Sequence, residues 1–368
     1  MAERVIFRAP YYFQPPGRNP IEAEWGALFV PENRRSSQSR LISIPFVRFI
    51  CTADRPGPPI FHLQGGPGIS TLKYLDNFWS DPDSPPPVHL GDLLFIEQRG
   101  IGYARPALET PGRFNIPLDT PGSPEIYREV THRHLQKSVE FWQGNGLDLN
   151  GYNVLEMAED IDDLRRALGY SEIMLLGGSF GSHHGLAVMR TFGPAIRRAF
   201  LWSIEGPNHT IKLPSNIQLQ LENLSGKFKA YDRDAQGSLH LLELLEGLLD
   251  KLDREPIVVE AVHPGTGEPC LVHIGKYDLQ LTIANGLGST PFLSKLPSWI
   301  LAMINGDFHW LGERVLNECV NQELNLMYAL TDYASGATAE RKVQIAEQAQ
   351  ATLLGDAINE PFLQFDDL

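Results

Sequence analysis

Gly177-Gly178-Ser179-Phe180-Gly181 has the G-x-S-x-G spacing of a nucleophile elbow, in which a serine hydroxyl attacks a carbonyl. That chemistry requires glycine on both sides of the serine. The strand-to-helix turn is so tight that the nucleophile takes a strained backbone conformation, and a Cβ at Gly177 or Gly181 would clash. The serine also stands at the positive end of the following helix, whose free N–H groups favour negative charge on an attacked carbonyl. A second glycine cluster, Gln64-Gly65-Gly66-Pro67-Gly68, follows the apolar run Ile60 to Leu63. Glycines at the C-terminal end of a strand leave backbone N–H groups uncovered, as an oxyanion hole requires. The two donors are then the N–H of Gly66 and that of Phe180, the residue after the nucleophile. Each cluster also has a plain structural reading, the first as a glycine-rich strand-to-helix turn with an inert serine and the second as a tight connector. In a third cluster, Glu97-Gln98-Arg99-Gly100, Glu97 and Arg99 read as a structural ion pair fixing their loop, because arginine exchanges no protons near neutral pH.

The elements that must position these groups follow from periodicity. Glu24 to Val30 and Leu41 to Ile50 are expected as two opening strands joined by a hairpin-like polar loop. Ile60 to Leu63 and Asp92 to Ile96 follow as a third and fourth strand, and Glu172 to Leu176 leads into the elbow. Before it runs a helix with Asn153 as N-cap, Glu156 three residues on, Leu155, Ala158, Ile161, Leu164 and Leu168 on one face, and Gly169 as its stop. A further helical piece spans about Glu125 to Trp142, with His132 and His134 expected at its surface. Ala199 to Ile204 is apolar on both faces, which predicts an interior parallel strand buried on both sides. Residues 207–368 read as mainly helical. They include a leucine-rich helix from Ser238 to Leu252, a β-hairpin over 257–274 and an amphipathic helix from Thr338 to Leu354. The division expected is a core over 1–206 and a cap over 207–368.

Composition narrows the function. The chain has 368 residues, 42% of them apolar and 21% charged, enough for one large domain or two smaller ones. Its net charge of -14 disfavours nucleic acid and anionic membranes as partners and suits cationic or amine-bearing ligands. The N-terminal segment MAERVIFRAPYYF has no apolar signal region, and no run of about 18 apolar residues occurs, so a cytoplasmic place without a membrane span is expected. Cys51, Cys270 and Cys319 are far apart and odd in number, which argues against a disulfide framework or a zinc site. His263 and His273, at the two sides of the hairpin, lack a third ligand. Neither metal nor other cofactor is expected.

The order strand-LQGGPG, strand-EQRG, capped helix, strand-GGSFG, helix resembles the α/β-hydrolase superfamily, and within it the branch of proline iminopeptidases and tripeptidyl aminopeptidases. The chain departs from that branch at Gln64, where many members have histidine, and at Glu97, where many have aspartate. Neither change removes a catalytic group. The resemblance is strong over about residues 24–210 and weak beyond. It implies an α/β-hydrolase sheet with helices on both faces and an inserted, mostly helical cap. It further implies serine-dependent hydrolysis of small peptides or aminoacyl amides from a free N-terminus. Such an enzyme must desolvate an α-ammonium group, which needs a carboxylate nearby. Glu205, at the C-terminal end of the strand after the elbow helix, is the candidate, its plain reading being a solvated or helix-capping glutamate. An esterase and a catalytically incomplete protein that only binds its ligand stand as alternatives.

The rest of the relay is not legible. The partners of the serine come in the order acid, then histidine, and the resemblance places them after two further strands. His183 and His184 lie on the elbow helix, His209, His240, His263, His273 and His309 lie in the cap region, and no histidine follows His309. The closing strands are therefore expected to be missing from this chain. On that expectation roughly 100 further residues complete the native protein, and Ala199 to Ile204 becomes an exposed sheet edge prone to aggregation.

Overall fold

The computed structural model describes residues 5–80, 86–231 and 241–360. The chain divides into two compact units. Met1–Pro111, Lys137–Thr210 and Leu324–Gly336 form the first; Gly112–Gln136, Ile211–Glu323 and Ala337–Leu368 form the second. The expected division at 206/207 is thus crossed twice, residues 112–136 grouping with the later helices and 324–336 with the sheet.

The first unit is built on seven strands: β1 (Val5–Phe13), β2 (Ile21–Pro31), β3 (Leu41–Phe49), β4 (Ile60–Leu63), β5 (Leu93–Ile96), β6 (Ile173–Gly178) and β7 (Ile196–Trp202). Their order across the sheet is β1-β2-β3-β5-β4-β6-β7. The first three and β5 pair antiparallel in sequence, while β5, β4, β6 and β7 run parallel. Parallel neighbours need crossover connections, which helices supply. The ten α-helices of the described residues are α1 (Pro124–Gly144), α2 (Val154–Ala167), α3 (Phe180–Phe192), α4 (Pro214–Tyr231), α5 (Leu241–Arg254), α6 (Lys276–Gly286), α7 (Thr290–Ile304), α8 (His309–Cys319), α9 (Leu326–Ser335) and α10 (Ala339–Ala349). Among these, α2, α3 and α9 belong to the sheet unit.

The short central strands β4 and β5 are buried along their whole length because both faces are covered, and His62 is their one polar residue. On one face Leu28, Ile44, Phe61, Leu63, Leu94 and Leu175 pack with Ala158, Ile161 and Leu164 of α2 and Val188 of α3. On the other, Phe49, Ile60, Leu93 and Phe95 pack with Leu75 and Trp79 of a short 3₁₀ helix, Leu75–Trp79. Asn153 caps α2 as expected, its side chain accepting from the N–H groups of Leu155 and Glu156. Leu155 itself faces solvent rather than the core. The mixed sheet with helices on both faces bears out the fold class read from the sequence.

Three expectations are corrected. The strand β1 precedes the first strand anticipated; Pro10 breaks its apolar pattern, and an edge strand tolerates that proline. The strand β7 is not buried on both faces: Phe200 is 67% and Trp202 43% exposed. It forms the other edge of the sheet, the place expected of it when no further strand pairs with it, as none does among the described residues. His134 is buried, its ring 4.7 Å from that of Phe114, not at the surface.

In the second unit the leucines of α5 resolve into one buried stripe, Leu241, Leu245, Leu248, Leu249 and Leu252, packed in a core with Leu296, Ile300 and Leu311. Residues 238–240, expected in the same helix, lie outside the described residues. The strands β8 (Ile257–Val262) and β9 (Pro269–Ile274) pair antiparallel as the expected hairpin. His263 Nδ1 accepts from the N–H groups of Gly265 and Thr266 and so shapes its turn. Among the described residues no helix is long and apolar enough to cross a membrane.

Candidate active site

Ser179 sits between β6 and α3 with φ 54° and ψ −129°, a left-handed backbone conformation that side chains other than glycine's rarely take. The glycines around it make the turn possible. A Cβ on Gly177 would stand 2.6 Å from the carbonyl oxygen of Gly181, and one on Gly181 would collide with the carbonyl oxygen of Leu63 at the end of β4. The close approach of α3 to β4 also brings the two glycine clusters together. A Cβ on Gly65 would lie 3.6 Å from Ser179 Cβ, so the loop over 64–68 lies directly against the serine. Phe180 is the first residue of α3, where backbone N–H groups have no helical acceptor. Among the described residues, neither its N–H nor that of Gly66 donates to another backbone group.

The elbow is tied to the end of β7 by side chains of α3. Ser182 Oγ donates to the carbonyl oxygen of Ser179 at 2.6 Å and accepts from the N–H of Glu205 at 2.8 Å. Glu205 is thus joined through its backbone, by one hydroxyl, to the serine. His183 Nδ1 lies 3.2 Å from the carbonyl oxygen of Gly206, and its Nε2 lies 3.4 Å from Ser335 Oγ in α9. His184 is buried, and removal from water lowers its pKa to about 4. His62 on β4 lies with its ring centre 4.3 Å from that of Phe78, and burial lowers its pKa to about 3. Both rings are therefore neutral in the folded protein. Among the described residues no histidine or carboxylate bonds to Ser179 Oγ.

The Glu97-Gln98-Arg99 cluster does not contain the expected ion pair. Glu97 accepts from Ser70 Oγ at 2.6 Å and from the N–H of Thr71 at 2.8 Å, holding the segment after the glycine loop. Burial raises its pKa, and these donors pull it back. Arg99 points elsewhere: it is fully buried, donates twice to Asp160 on α2 and also donates to the carbonyl oxygens of Glu32 and Gly151. Glutamate and arginine two positions apart each fix a different neighbour here, one on the loop side and one on the helix side.

Gln98, between them, is a site residue that the sequence does not announce. Its Oε1 accepts from the N–H of Gly68 at 2.8 Å, and its Nε2 donates to the carbonyl oxygens of Gln64 and Gly65 at 3.1 and 3.3 Å. Asn325 is another; its Nδ2 donates to the carbonyl oxygen of Gly68 at 3.0 Å. The sequence signal for Gln98 is its place in the E-Q-R-G cluster, while Asn325 signals only a helix start.

Residues 58–242 match the family model described as alpha/beta hydrolase fold. Over 194 residues the chain is 27% identical to the protein named serine protease Hip1 in Mycobacterium tuberculosis and in Mycobacterium bovis. The match covers 50% of this chain and 36% of those proteins, so it takes in about a third of their length. A solved structure from Burkholderia cenocepacia, Cfl2, is 12% identical, with a TM-score of 0.34, over 92% of this chain and 80% of its own. A proline iminopeptidase-related protein from Thermus thermophilus is 18% identical, with a TM-score of 0.25, over 60% of this chain and 51% of its own.

Proposed function

The chain belongs to the α/β-hydrolase family, and from that premise we propose that it is a serine hydrolase releasing amino acids or short peptides from the free N-termini of small peptides or aminoacyl amides. The observation that carries the proposal is Ser179 at φ 54° at the head of α3, with the Gly65 backbone against it. Ser179 Oγ attacks the carbonyl carbon and the Gly66 and Phe180 N–H groups hold the oxyanion. The C–N bond then breaks, the serine proton leaves on the amine, and water hydrolyses the acyl-enzyme. The name of the mycobacterial relatives supports a serine mechanism acting on amides. A second reading, in which the protein binds its ligand without turning it over, is favoured by the lack of a histidine or carboxylate bonded to Ser179 Oγ among the described residues.

A fluorophosphonate probe separates the two. In the hydrolase reading the full gene product is labelled, labelling disappears in Ser179→Ala, and hydrolysis of aminoacyl amides falls by on the order of 10⁶ in kcat. Residual activity within about tenfold of the parent places the nucleophile elsewhere, and absence of labelling in the parent leaves the binding reading.

A further inference from the structure

The loop over 64–68 carries Gly66, yet it has little means of holding its own shape. Gly66 and Gly68 both have positive φ, 117° and 88°, and glycine is the residue with the most conformational freedom to lose. An oxyanion donor acts only if it is fixed before charge develops, so something outside the loop must set its position. Gln98 holds one side of the loop through the N–H of Gly68 and the carbonyl oxygens of Gln64 and Gly65. Asn325 holds the other. It lies 257 residues along the chain from Gly68, and its Cγ is 3.1 Å from where a Cβ on Gly68 would stand.

Asn325 is also the N-cap of α9. Its Oδ1 accepts from the N–H groups of Met327 and Tyr328 at 2.8 and 3.3 Å, which leaves Nδ2 to face the carbonyl oxygen of Gly68. The orientation of the amide is therefore fixed by its partners, since acceptors and donors cannot be exchanged at either end. At the other end of α9, Ser335 Oγ meets His183 Nε2 on the elbow helix. One helix thus touches the glycine loop at its first turn and the helix bearing Phe180 at its last.

We propose that Asn325 is a positioning residue for the oxyanion loop, acting through Gly68 and opposed by Gln98, and that α9 serves as the strut on which it is mounted. The assignment of the loop to an oxyanion hole rests on the hydrolase reading above; the assignment of Asn325 as the anchor of Gly68 does not. A residue that only capped α9 would need its oxygen alone. A residue that positions the loop needs its Nδ2 as well, and substitution separates the two.

Asn325→Asp keeps both cap acceptors, and Asn325→Ser keeps a cap while losing reach; aspartate and serine are as good at this position of a helix as asparagine. Neither donates to Gly68. In hydrogen exchange read by mass spectrometry, the expected result in both variants is faster exchange in the peptide over 64–69, by about fivefold, with α9 unchanged. Unchanged exchange over 64–69, or a rise in α9 that equals it, overturns the proposal. In the labelled, active gene product kcat falls by on the order of tenfold while KM holds, because a displaced donor acts only on the transition state. A matching rise in KM with kcat unchanged overturns it too. If the parent neither reacts with the fluorophosphonate nor hydrolyses amides, the hydrolase reading fails and the exchange result still decides the role of Asn325.

Discussion

Arg99 and Asp160 lie side by side out of water, 61 residues apart in sequence, with the guanidinium donating to the carboxylate at 2.8 and 2.7 Å. They are not equally replaceable. Asp160 also receives Arg34 at 2.7 Å, whereas among the described residues Arg99 has only Glu156, at 3.5 Å, as a second carboxylate. Removing the acid leaves a fully buried cation with one carboxylate at 3.5 Å and two carbonyl oxygens; removing the base leaves the acid bonded to Arg34. Asp160→Asn should lower unfolding free energy by about 3–5 kcal/mol and Arg99→Met by about 1–3 kcal/mol, read from urea titrations. Equal losses, or a larger one for Arg99→Met, would show that the two carbonyl oxygens held by Arg99 outweigh its charge.

Acidification should destabilise the sheet unit through its buried histidines. The folded pKa of His184 is about 4, below the ordinary 6.5, because burial penalises the charged ring. Between those values the unfolded chain takes up a proton that the folded chain refuses, so stability is present above pH 6.5 and is lost as pH falls toward 4. From pH 7 to pH 5 the loss through His184 is about 2 kcal/mol, and His62, with a folded pKa of about 3, adds to it in the same direction. His184→Gln should flatten that slope by its share. The check is the denaturant midpoint of parent and variant at both pH values, and identical slopes would mean that His184 is charged in the fold.

Glu205→Gln tests the capture of a free N-terminus. If the carboxylate holds the α-ammonium group, kcat/KM falls at least about tenfold, or about 1.4 kcal/mol, on substrates with a free N-terminus and stays level on acetylated ones. An equal effect on both assigns Glu205 to the support of the β7 end, where its N–H already meets Ser182.

The elbow, the glycine loop and the capped helix are legible in sequence because each is a local rule. Glycine around Ser179 and asparagine before α2 state a backbone requirement within five residues of themselves. What escapes is decided at a distance. The apolarity of β7 shows what Phe200 and Trp202 would bury, and not whether anything covers them. The strand β1 hides behind Pro10, which an edge allows and an interior forbids. Arg99 pairs with Glu97 on sequence because they are near neighbours, yet its partner in the fold sits on another element. Gln98 and Asn325 carry neutral amides with no periodicity of their own, and only the fold shows that both face Gly68.

The φ of Ser179 sets stability and chemistry against each other at a single codon. A side chain held at 54° costs about 1–3 kcal/mol that glycine would not incur. A library sorted only for thermal survival should therefore enrich glycine at 179 and discard the hydroxyl early, while one sorted for turnover should never do so. The residue most favoured by the first selection is the one the second forbids.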